Sequence, residues 1–185
     1  EIADRVIAGD MDLGEGRRVL REIGARRQGR FTHAATVFGY GVASAAIASI
    51  LHTGWAEVTV AFANGLLIGA LSLLPLRFPS FANALEAVAA FLSTLVAILV
   101  AVYVVPLELR AVVIASVIVL IPGMTLTTAV RELSSQHLIS GTARMMGALA
   151  TLLKLLFGTA AALQGCALFG IVPPPANTTP IPLWA

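Results

Sequence analysis

The chain has 185 residues, of which 58% are hydrophobic and only 12% are charged. Its mean hydropathy is +0.90, whereas an ordinary soluble domain is about 25% charged. A single domain of this length buries only about 70% of what its unfolded chain exposes, so a soluble fold cannot hide this much apolar surface. A soluble globular protein, a disordered chain and a nucleic-acid binder are excluded, and an integral membrane protein remains.

Asp, Glu, Lys and Arg are absent from residues 31–56, 58–76, 87–107, 111–130 and 155–185. Each window is near or above the roughly 20 apolar residues that a spanning helix needs. A membrane β-barrel would instead alternate in segments of about 10 residues. The expected fold is all-α: a multi-pass transmembrane helical bundle of about five spans. The lone cysteine, Cys166, allows no disulfide framework. The chain opens on Glu1 with no signal segment, and reads as part of something longer.

Residues 1–30 form a distinct cytoplasmic, amphipathic N-terminal segment. Seven of the twelve Lys and Arg residues lie here: Arg5, Arg17, Arg18, Arg21, Arg26, Arg27 and Arg30. Basic residues beside the first span place this end in the cytoplasm. Asp12 sits where a helix N-cap belongs. The transmembrane domain then covers residues 31–172. Span one, near 36–51, is rich in small residues, and span two, near 56–74, carries Gly65 and Gly69 as a GxxxG that reads as close packing. A loop around Arg77 returns to the cytoplasm. Span three is expected near 82–105, and Pro106–Arg110 turns on the outer side. Residues 173–185 form a proline-rich linker.

The fourth apolar segment is short. Fifteen residues separate Pro106 from Pro122, or about 22 Å of helix against a hydrocarbon core of about 30 Å. Pro122 lacks an N–H and Gly123 resists helix, so the segment breaks there. Ser140 and Gly141 predict a second break, with span five over 143–171. A broken hydrophobic segment points to a binding site in a transporter. The helix that starts after the break leaves unpaired N–H groups and a positive end, which suit a carboxylate. Thr125, Thr127 and Thr128 place hydroxyls there, while Thr128, Arg131, Glu132 and Ser135 share one polar side. Arg144 is positioned to pair with Glu132 or to bind a substrate carboxylate. A second reading stays open, in which this stretch is an amphipathic cytoplasmic connector.

Residues 122–148, PGMTLTTAVRELSSQHLISGTARMMGA, resemble the signature of the threonine/serine exporter family (ThrE). The matching positions are Pro122, Gly123, Leu126, Thr127, Glu132, Leu133, Ser140, Gly141 and Arg144. The Gly14-Glu15-Gly16 turn region and the Trp55-Ala56-Glu57 opening of span two are also similar, so the likeness covers nearly the whole chain. The resemblance implies no enzyme but an inner-membrane efflux carrier, driven by proton-motive force and exporting threonine and serine. One branch of the family is a two-protein system that exports succinate. Single-chain members fuse two halves, and the Pro180–Trp184 tail resembles that junction. A second transporter half, fused or separate, is therefore expected, and a homo-oligomer is a further option. With an odd number of spans, a following half would enter inverted, the layout used for alternating access.

Ionisable side chains inside a bilayer are functional candidates because a charge there costs several kcal/mol (about 3 on insertion scales). Glu132 is the first choice for proton coupling, since burial and a nearby arginine bias a carboxylate in opposite directions. Glu86 reads as interfacial, with coupling as its second role. Glu57 is expected to be solvated. Lys154 either snorkels or counters a carboxylate. Asn64 and Gln164 are expected to bond between helices. No histidine pair has metal-ligand spacing, so neither metal nor cofactor is expected. The expected partners are the substrate (threonine, serine or succinate), protons and the lipid bilayer. A rival reading makes the chain a structural or regulatory subunit whose partner holds the site.

Overall fold

A computed structural model describes Asp12 and residues 14–19, 30–76, 78 and 81–171. All regular structure among these residues is helical. Residues 14–19 form a short helix. Its start is held by Asp12, whose Oδ2 accepts the Gly14 N–H at 3.1 Å and whose carbonyl accepts the Gly16 N–H at 2.9 Å. Asp12 therefore caps as its position predicts. The other expectations for residues 1–29, for Arg77 and for the proline-rich linker fall outside the described residues.

Six longer helices follow among the described residues: α1 (Arg30–Ile50), α2 (Trp55–Leu71), α3 (Leu85–Tyr103), α4 (Leu109–Val117), α5 (Gly123–Ser134) and α6 (Leu138–Leu168). A tight turn joins α1 to α2, with His52 at φ +54° and the Thr53 hydroxyl donating to the Ala48 carbonyl at 2.9 Å. This sends α2 back along α1. The two backbones touch at the glycines: a Cβ on Gly65 would lie 2.7 Å from Gly41 Cα, and one on Gly69 would lie 2.8 Å from Val37 Cα. The GxxxG is thus spent on packing within the chain, as lipid-embedded helices require small residues to approach closely.

α2, α3 and α4 pack on one another. Their shared core is built from small side chains, with Ala61, Ala89, Ala97 and Ala115 fully buried and Leu107 and Val112 closing one end. α6 lies along α3, and α5 folds back on the first half of α6. Gly158 is the contact point of the α3–α6 seam, its α-carbon directly against the Ala87 carbonyl.

α1, α3 and α6 are each long and apolar enough to cross a bilayer. α4 and its 3₁₀ extension (Ile118–Leu120) together with α5 form a bent pair, 59° at the break, that passes as a fourth span. α2 is apolar but has 17 residues, about 25 Å of helix. The five-span count therefore depends on that short helix, which runs antiparallel beside α1. α6 has 31 residues, starting before the expected 143 and ending before the expected 171. It is about 46 Å long, well over the thickness of the hydrocarbon core.

One expected break moves. α6 is continuous through Ser140 and Gly141, and the chain instead turns at Gln136 (φ +61°) with His137 as the N-cap of α6. The reason is packing. Gly141 is buried where a Cβ would lie 2.8 Å from Leu133 Cγ, so its missing side chain seats α5 on α6. Ser140 bonds back to the His137 carbonyl at 3.3 Å.

A leucine at Gly158 should lower the thermal stability of the detergent-solubilised protein by at least about 1–3 kcal/mol, because the seam has no room for it. Gly147→Ala, where a Cβ meets nothing within 4 Å, should be neutral or stabilising by up to about 1 kcal/mol through helix propensity. Equal effects at the two positions would contradict the packing described here.

Candidate functional site

The break at Pro122–Gly123 is local chemistry. Pro122 occupies the N-cap of α5 with no N–H to donate, and its carbonyl accepts the Leu126 N–H at 3.0 Å to close the first turn. The threonines that follow are drawn to their own backbone. Thr127 Oγ1 donates to the Gly123 carbonyl at 2.5 Å, and Thr128 Oγ1 donates to the Met124 carbonyl at 2.8 Å. This i−4 bonding is usual for hydroxyls inside a helix. It leaves their oxygen lone pairs, but not their protons, for a ligand. Thr125 is half-buried with no hydroxyl bond among the described residues.

Glu132 lies two turns further along α5. Arg144, on the facing stretch of α6, donates from Nε to Glu132 Oε1 at 2.9 Å. The guanidinium side chain is 53% exposed and the carboxylate side chain 21%. The second carboxylate oxygen, Glu132 Oε2, is buried with no hydrogen-bond partner. Beside the pair is a cleft of about 320 Å³ lined by Arg131, Glu132, Ser135, His137 and Ser140. The structure thus brings Glu132, Arg144 and Ser140 to one place. Of the threonines only Thr128 is one turn from Glu132; Thr125 is seven residues from it, or about 10 Å along the helix. The N-terminus of α5 and Arg144 are consequently two separate positions.

Glu86 is elsewhere. It stands in the first turn of α3, where its Oε2 meets Lys154 Nζ at 3.5 Å, the two side chains 25% and 38% exposed. Lys154 therefore counters a carboxylate. Ten residues of α6 separate it from Arg144, about 15 Å, so α6 carries two cations that pair with carboxylates of two different helices.

Two expectations are corrected. Glu57 is not solvated but 3% exposed, because its carboxylate turns inward and Oε1 accepts the Glu108 N–H at the start of α4, at 3.2 Å. Gln164 is exposed and makes no interhelical bond among the described residues. Asn64 does bond between helices, its Nδ2 donating to the Ser93 carbonyl at 3.1 Å and to Ser116 Oγ at 3.3 Å. Ser93, Thr94 and Ser116 are fully buried, which the sequence does not signal, because a serine or threonine in an apolar run reads as an ordinary small residue. Among the described residues no three His, Cys, Asp or Glu side chains gather as metal ligands.

A half-exposed ion pair is worth little to folding. A double-mutant cycle on Glu132→Gln and Arg144→Gln should give a coupling of about 0.2–1 kcal/mol in unfolding measurements. A coupling above about 3 kcal/mol would mark the pair as a structural staple of the kind found when buried charges lose their partner.

The family model for threonine/serine exporters, ThrE, matches residues 1–165. No curated protein and no solved structure matches the chain. The match takes in the broken segment, the Glu132–Arg144 pair and the Glu86–Lys154 pair together. The chain belongs to the threonine/serine exporter family, a family of membrane transport proteins.

Proposed function

We propose that the chain is one half of a secondary transporter that exports threonine and serine across the inner membrane, driven by the proton-motive force. The observation that carries this reading is the cleft at Glu132 and Arg144. An amino acid is a zwitterion, and beside the cleft Arg144 and Glu132 set a cation and a carboxylate 2.9 Å apart. The substrate carboxylate replaces Glu132 on Arg144, and its ammonium group takes the carboxylate so released. The unpartnered Glu132 Oε2 provides an acceptor for that ammonium or for a proton, but not for both. Such mutual exclusion is the condition for exchange of substrate against protons. Ser135, Ser140 and Thr128, the last one turn from Glu132, are the polar groups near enough to meet the substrate hydroxyl. Thr125 and Thr127 attend the α5 N-terminus and act on the substrate only as it enters or leaves.

In this reading the N-terminus is cytoplasmic, the turns at Thr53 and Pro106 are outside, and the α5–α6 hairpin faces the cytoplasm, where the substrate is collected. A second half, fused or separate, completes the carrier. A dicarboxylate such as succinate is the second reading, and Arg131 favours it: with Arg131 lining the cleft and Arg144 beside it, two cations stand near one carboxylate.

The full protein with its second half should move labelled threonine and serine in proteoliposomes when a proton gradient is imposed. Arg144→Ala and Glu132→Gln should each cut that transport by about tenfold or more, the loss of one charge-assisted contact of about 1.5–3 kcal/mol. Transport that ignores the gradient would remove the coupling, and succinate preferred to threonine would select the second reading.

A further inference from the structure

Seven polar side chains among the described residues are buried away from the cleft. Four of them form a line: Glu57, 3% exposed, and Asn64, Ser93 and Ser116, fully buried. Their spacing is regular. Glu57 and Asn64 are seven residues apart on α2, and Glu86 and Ser93 are seven residues apart on α3. Seven residues make two turns, which return a side chain to within about 20° of its direction and about 10 Å further along. The Asn64 amide joins the two lines by its bonds to the Ser93 carbonyl and to Ser116 on α4. At one end Glu57 rests on the Glu108 N–H, and at the other Glu86 rests on Lys154. Polar groups thus run Glu57, then Asn64 with Ser93 and Ser116, then Glu86 with Lys154. The run covers about 20 Å of a hydrocarbon core of about 30 Å.

Two properties separate this line from simple helix stitching. First, Asn64 Oδ1 and Ser93 Oγ are buried with no hydrogen-bond partner among the described residues. Each such group costs about 1–3 kcal/mol, where alanine would carry no such cost. Second, the surroundings are too tight for an amino acid, since Ala61, Ala89, Ala97 and Ala115 around the line are fully buried. Oxygen atoms with free hydrogen-bonding capacity, between two carboxylates and in a space closed to larger solutes, suit a proton.

We propose that the α2–α3–α4 seam is the proton path of the transporter, with Glu57 as the carboxylate that takes the proton at the Thr53 end and Glu86 as the one that receives it at the far end. This rests on the proton-coupled reading above. One proton binds the Glu57 carboxylate. It passes along the Asn64, Ser93 and Ser116 layer, with water bridging the gaps of about 10 Å, and arrives on Glu86. Protonated Glu86 is neutral and no longer holds Lys154 by charge, so the α3–α6 seam loosens. The proton then leaves Glu86 for the cytoplasmic side, where Glu132 takes it only when no substrate ammonium occupies Oε2, and the Glu86–Lys154 pair re-forms. Because Arg144 is on the same helix as Lys154, the loosened seam shifts the substrate cleft as well. Glu57 and Asn64 are then proton-path residues that never touch the substrate.

The test uses the full protein with its second half in proteoliposomes. It compares proton flux driven by a threonine gradient, followed with an entrapped pH dye, with exchange of labelled threonine at equal pH on both sides. Glu57→Gln and Asn64→Leu should lower the driven proton flux by at least about tenfold, the low end of what a positioned proton-transfer group contributes, while exchange stays in the wild-type range. Glu57→Asp and Asn64→Ser should keep both. Driven flux intact in Glu57→Gln and Asn64→Leu overturns the path. Loss of exchange together with flux in all four variants also overturns it, for the seam is then structural. Wild-type exchange with no proton flux at all would instead defeat the proton-coupled reading itself.

Discussion

The direct contact between Gly158 and the Ala87 carbonyl fixes α6 on α3, and the rest of the arrangement depends on it. In lipid there is no hydrophobic gain from pressing two apolar helices together, so close backbone approach and polar contacts must hold them. Gly158 supplies the approach. Lys154, one turn earlier, supplies the polar contact to Glu86. With that seam set, the first half of α6 extends past the start of α3, and only α5 packs there. The cleft at Glu132 and Arg144 owes its exposure to this overhang.

The break at Pro122–Gly123 makes the overhang usable. A straight continuation of α4 would carry the chain away from α6, and the 59° bend instead folds α5 onto it by Ala129 and Leu133, with Glu132 at the edge of that contact. Gly141 lets Leu133 sit close, which aligns Glu132 with Arg144. Backbone freed at a break must be satisfied by protein or water. Here Pro122 has no N–H to satisfy, and the Gly123 N–H donates to the Ile121 carbonyl at 2.8 Å. Broken backbone, small residues and charges thus form one device rather than three features.

The interior shows a complementary economy. Alanine dominates the core between α2, α3 and α4, which brings these helices near enough for Asn64 to reach both Ser93 and Ser116. A larger apolar core would have kept the same polar groups apart. The same closeness explains why Glu57 is drawn out of solvent: the start of α4 lies within reach of its carboxylate and offers the Glu108 N–H, a favourable partner for an anion at a helix N-terminus.

The membrane class, the helical bundle, the break at Pro122–Gly123 and the resemblance to an exporter family were all legible in the order of residues. Each depends on local facts: the length of uncharged runs, the missing proline N–H, and a short motif from Pro122 to Arg144. Glu132, Arg144 and Glu86 stand out in the sequence because a charge is rare in such a chain, but their pairing does not. Ser140 and Gly141 misled because a glycine signals a break as readily as a close contact, and only the neighbour, Leu133, decides which. Glu57 misled because its burial depends on a backbone N–H fifty-one residues away. Lys154 found Glu86 across sixty-eight residues, and nothing in either neighbourhood names the other. The sequence alone determined where polar and apolar residues lie along each helix. Which of them meet was decided by the tertiary structure, since helix pairing in lipid follows the fit of small side chains between distant segments, and that fit has no local signature.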